Sequence, residues 1–126
     1  MLDKYNMSIE NNIYEISKAF AVRIINLYNY LTDTKKEHVM SKQLLRSGTS
    51  IGANVFEGKQ AQSRADFASK MSIALKEASE SGYWIDLLHE TQYLTDSEFQ
   101  SLFADCKRII AVLTKIVKST KSKDES

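Results

Sequence analysis

The chain has 126 residues, 17 basic and 16 acidic, no proline, four glycines and one cysteine. That length fits one domain with a real core, and the lack of proline favours long uninterrupted helices. Near-neutral charge excludes strong bulk attraction to nucleic acid, a single cysteine excludes an internal disulfide, and no apolar run reaches the length of a membrane span.

Four helices are predicted, roughly 12–32, 37–60, 63–93 and 95–120. The first opens at Asn12, with Glu15 three residues on as a capping box. Its core line is Ile13, Ile16, Phe20, Ile24, Leu27 and Leu31. The second carries Leu44, Leu45, Ile51, Val55 and Phe56, and holds Gly48 and Gly52 internally. Each glycine costs about 1 kcal/mol against alanine, which points to close packing. Gly58 marks its fraying end. The third starts at the box Ser63-Arg64-Ala65-Asp66 and runs through Phe67, Met71, Ala74, Ala78, Ile85 and Leu88. The fourth starts at Thr95-Asp96-Ser97-Glu98 and continues through Phe99, Phe103, Cys106, Ile110, Leu113 and Val117, a wide amphipathic stripe. With short connections, such helices pack as an all-α, antiparallel up-down-up-down four-helix bundle, one domain over residues 1–126.

The polar residues Ser47, Ser50, Asn54 and Glu57 recur at core-like spacing on the second helix. Buried unpaired, each would cost about 1–3 kcal/mol, so they must be paired, wet or functional. Antiparallel packing sets Glu57 opposite Lys70, Asn54 near Ile73 and Glu77, Ser50 near Glu77, and Ser47 near Glu80, with Arg46 reaching Glu80. The expectation is a buried interhelical network that fixes register; the alternative is a ligand or partner site between helices.

Other constellations carry less. Ala53 to Gln60 lacks the first glycine and the Ser/Thr of a phosphate loop, and no strand precedes it. Asp86-x-x-His89 is the one approach to a carboxylate–histidine metal motif, short of the ligands a di-metal bundle needs, and His89 reads as a surface histidine. Cys106 lies on the core stripe, where cysteine is a small apolar residue. No catalytic residue, cofactor, metal or small-molecule substrate is expected. Lys115, Lys118, Lys121 and Lys123 cluster at the C-terminal end; they are the candidate nucleic-acid contacts, RNA or DNA, and equally a solvated helix end.

The stretch from Ser41 to Glu90, and Ile13 to Leu31 in the first helix, resembles the small bacterial four-helix-bundle proteins encoded in intervening sequences of large-subunit ribosomal RNA genes, also labelled ribosomal proteins. The residues that carry the resemblance include Arg46-Ser47, Ser50-Ile51, Asn54, Glu57, Phe67, Lys70, Ala74, Glu77, Glu80 and Tyr83-Trp84. The resemblance implies an antiparallel bundle assembled as a ring-like homopentamer, with no enzyme activity. A related branch, the accessory proteins of diversity-generating retroelements, is more basic and binds nucleic acid; this chain departs from it in its near-neutral charge. The expected role is a cytoplasmic, non-enzymatic oligomer that serves as an assembly platform. A weak, non-sequence-specific nucleic-acid-binding accessory protein is the alternative.

Overall fold

The computed structural model describes residues 4–125, with side chains over residues 12–121. Four helices follow in order: α1 (Lys4–Asp33), α2 (Met40–Lys59), α3 (Arg64–Glu90) and α4 (Asp96–Glu125). Each packs on its chain neighbours, and α1 closes the bundle against α4. This is the all-α four-helix bundle expected from the pattern.

The boundaries correct several expectations. Helix α1 begins by Lys4, so Asn12 lies inside it and caps nothing; no glycine or proline upstream stops the helix. Helix α2 begins at Met40, not near residue 37. Glu37 folds back as its cap: one carboxylate oxygen accepts from Val39 and Met40 N–H at 3.0 Å, and the other accepts from Ser41 N–H at 2.7 Å. Gly58 is not a frayed end but sits buried within α2, where an added Cβ would collide with the Met71 methyl.

The starts of α3 and α4 follow the expected caps. Ser63 Oγ accepts from Asp66 N–H at 3.0 Å. Thr95 and Glu98 form a reciprocal box, each side chain accepting from the other's N–H at 3.1 and 2.8 Å. Helix α3 ends three residues earlier than the pattern suggested, since Gln92 adopts a left-handed conformation (φ 70°) that turns the chain. Helix α4 runs to Glu125, beyond the expected 120.

The core is continuous. Ile13, Phe20, Ile24 and Leu31 of α1 meet Leu44, Ile51 and Val55 of α2, then Met71, Ala78, Ile85 and Leu88 of α3, and Ile109 and Leu113 of α4. The two internal glycines of α2 admit α1. A Cβ on Gly48 would lie 2.9 Å from Ile24 Cγ1, and one on Gly52 would lie 3.6 Å from the Ser17 backbone. Cys106 is buried, with its thiol donating to the Ala78 carbonyl at 3.2 Å. Burial, reinforced by the nearby Asp105 charge, pushes its pKa up to about 11. Among the described residues no helix is long and apolar enough to cross a membrane.

Candidate functional site

Helices α2 and α3 meet along the polar line, but only its first member is inside. Ser47 is fully buried, and its hydroxyl lies 2.9 Å from that of Ser81 across the seam. Ser81 also reaches the Glu77 carbonyl at 2.9 Å. The expected partner of Ser47 was Glu80; Ser81 takes that place. Ser81 was legible at the spacing Ala74, Ala78, Ser81, Ile85, where a small polar residue interrupts an apolar line.

The rest of the line departs from expectation. Ser50 donates to the Arg46 carbonyl at 2.6 Å and Asn54 donates to the Ser50 carbonyl at 2.9 Å, both within α2. Ser50 therefore does not engage Glu77. Asn54 is half-buried, and the Glu57 side chain is 57% exposed. For Glu57 the physical reason is its angle around α2. Steps of three, four and three over ten residues fall about 80° short of three full helical turns. The line starts facing α3 and ends facing solvent.

Charged pairs cap the seam from outside. Lys70 Nζ lies 3.2 Å from Glu57 Oε2, as expected, but as a surface pair. Arg46 bridges to Glu77 at 3.2 Å and to Glu80. Glu80 also accepts from the Trp84 indole N–H at 3.0 Å. That indole bond, aided by Arg46 and opposed by burial, holds the Glu80 carboxyl below its usual pKa, while Glu80 raises the Arg46 pKa. Tyr83 stacks edge-on against Trp84 with ring centroids 5.0 Å apart. Every buried side-chain polar atom described has a partner. The arrangement orders the two helices chemically: a hydroxyl pair inside, an ion-pair ladder outside, an aromatic pair at one end.

At one end of the bundle a cleft of about 380 Å³ is lined by Tyr30, Lys35, His89, Tyr93, Asp96 and Glu98, among others. His89 is half-buried rather than a free surface group. Its ring stacks on Phe99 at 4.1 Å, and Nε2 lies 2.7 Å from Asp96 Oδ1. Asp86, His89 and Glu90 offer ligand atoms within 4.8 Å of one another, with both carboxylates exposed. On α4, Lys115, Lys118 and Lys121 are exposed; Lys123 lies outside the residues whose side chains are described. No acidic residue occurs between 106 and 121.

The family model of the 23S rRNA-intervening sequence protein matches residues 9–115. The chain belongs to this family. A solved structure of a protein of unknown function from the S23 ribosomal protein family of Bacteroides thetaiotaomicron is 53% identical. The match covers 87% of this chain and 98% of that one, with a TM-score of 0.86. A comparison with curated proteins finds no match.

Proposed function

We propose that this family member is a non-enzymatic homo-oligomer, a ring-like pentamer in the cytoplasm that serves as a platform for a further partner. The observation that carries the reading is apolar surface left over after the core is filled. Val22, Ile25, Phe56 and Tyr83 are 52%, 43%, 53% and 58% exposed, and Ile73 is exposed as well. Tyr28 and Trp84 are half-buried, and the exposed side chains project outward. Exposed apolar groups gathered on helix faces mark interfaces. The number five follows from the family resemblance and not from the side chains. A buried, protonated Cys106 and carboxylates engaged in ion pairs favour an assembly role over catalysis. Light scattering on the purified protein tests the reading: a pentamer is expected, and a monomer at micromolar concentration overturns it.

The α4 surface supports a second reading, binding of nucleic acid. Lys107, Arg108, Lys115, Lys118 and Lys121 are exposed on a segment free of carboxylates. Such binding would be weak and salt-sensitive, with a log–log slope of about −0.7 per phosphate on single strands. Titrating RNA at two salt concentrations, with and without Lys115, Lys118, Lys121 and Lys123, separates it from the first reading.

A further inference from the structure

We propose that α4 binds duplex DNA: its outer face lies along the major groove, and cations on its two shoulders meet the phosphates of the two groove walls. This rests on the nucleic-acid reading above and adds the form of nucleic acid, the residues that divide the contact and the reason the bases go unread.

The cations of α4 fall in two rows. At about 100° per residue, Lys107 and Lys118 lie within about 20° of each other around the helix, and Arg108 and Lys115 do the same about 80° away. Ala104 and Ala111 lie between the rows, and all six side chains are exposed. The first row is on the side of α3. Lys107 Nζ sits 5.5 Å from the centre of the Phe103 ring, and that ring lies by Gly82 of α3. Lys121 follows Lys118 by three residues on the same side. The second row is on the side of α1, where Arg108 and Ala19 line one small cleft.

Charge around these rows has one sign. Among the described residues none of Lys107, Arg108, Lys115, Lys118 and Lys121 has an ion-pair partner. Asp105, the carboxylate nearest in sequence, is held by Arg23 at 2.6 Å. The flanks are uncharged: Ser72 and Ser79 on α3, the latter three residues before Gly82, and Asn12 and Asn26 on α1, each seven residues from Ala19.

A face of cations without carboxylates fits a polyanion. The strip between the rows decides which. Alanines there offer no hydrogen bond to a base edge and no ring on which an unpaired base could stack, so a single strand gains little. The rows stand about one helix width apart, roughly 10–12 Å. The major groove of B-DNA is about 12 Å wide, whereas that of an RNA duplex is too narrow for side chains to read. Contact with both walls therefore selects duplex DNA, and contact with phosphates alone leaves the sequence unread.

Fluorescence anisotropy over a range of salt tests this, with a labelled DNA duplex, an RNA duplex of the same sequence and the single DNA strand. The DNA duplex is expected to bind tightest. Lys107→Gln and Lys115→Gln, one from each row, are each expected to reduce the log–log salt slope by about 0.9, the value of one duplex phosphate. Lys42→Gln, on α2, is expected to leave the slope unchanged. Ala111→Glu sets a carboxylate between the rows and is expected to weaken binding about tenfold or more. All four side chains are exposed, so the fold is not at stake; circular dichroism checks it. An RNA duplex or single strand bound as tightly as the DNA duplex overturns the groove assignment alone. So does a slope that falls for only one of the two rows, or an Ala111→Glu variant that binds as wild type does. No binding to any of the three at low salt overturns the assignment together with the nucleic-acid reading.

Discussion

Helix α1 is held on its two sides in different ways. Toward α2, Gly48 and Gly52 remove side chains from the contact, so Ile24 and the Ser17 backbone approach the α2 helix itself. Toward α4 the packing is the sparsest of the four helix pairs. There Arg23 reaches across to Asp105 at 2.6 Å and to the Ser101 hydroxyl at 3.1 Å, with both charged side chains over 40% exposed. The contrast teaches that backbone proximity and side-chain reach are separate ways to close a bundle. The first depends on shape and tolerates no added atoms. The second depends on exposed charge and contributes little free energy.

The largest expected effect breaks the α1–α2 side. Gly48→Leu must push Ile24, a buried β-branched residue, out of its rotamer. A loss of about 1–3 kcal/mol is expected in urea unfolding despite the better helix propensity of leucine. An unchanged midpoint would show that α1 can move away freely.

Next comes the cap at the mouth of the same seam. Glu37→Ala removes the acceptor for three N–H groups at the start of α2, for a loss of about 1 kcal/mol. Burial works to raise the Glu37 pKa, but the N–H groups of Ser41, Met40 and Val39 outweigh it and hold it below 4.5. A depressed folded value means that the carboxylate's stabilisation is present above the ordinary value and is lost as pH falls through the folded one. The variant should therefore match wild type more closely in acid than at pH 7, when thermal melts are compared across that range.

Gly52→Ala sharpens the comparison with the opposite sign. Its Cβ would meet only ordinary contacts at 3.6 Å, so the helix gains propensity without a clash. A rise in stability of about 0.5–1 kcal/mol is expected; a fall would mean that both glycines are needed for close approach.

The smallest effect belongs to the α4 side. Arg23→Ala should cost about 0.2–1 kcal/mol, and less in high salt, because its partners are exposed and screened. A loss equal to that of Gly48→Leu would contradict the division between the two seams. Glu57→Ala belongs in the same range. Its pair with Lys70 is a surface pair and not the buried one its spacing suggested.

Local pattern alone carried much of this molecule. Apolar residues three and four apart identify the buried stripe of each helix, because helical geometry returns them to one side. The capping boxes at Ser63 and Thr95 are equally local, each a side chain meeting a backbone group three residues away. The Lys70–Glu57 and Arg46–Glu80 pairs followed once α2 and α3 were taken as antiparallel. Tertiary structure decided what depends on rotation and distance between helices. It placed Ser47 inside against Ser81, left Asn54 half-buried and turned Glu57 outward, since at about 100° per residue Glu57 lies about 80° from Ser47 around α2. It set Gly48 hard against Ile24 and left Gly52 room for a methyl group, a difference that two identical residues four apart cannot express in sequence. The reason is physical: helical period is a property of one segment, whereas burial, clash and pairing depend on where a second segment comes to rest.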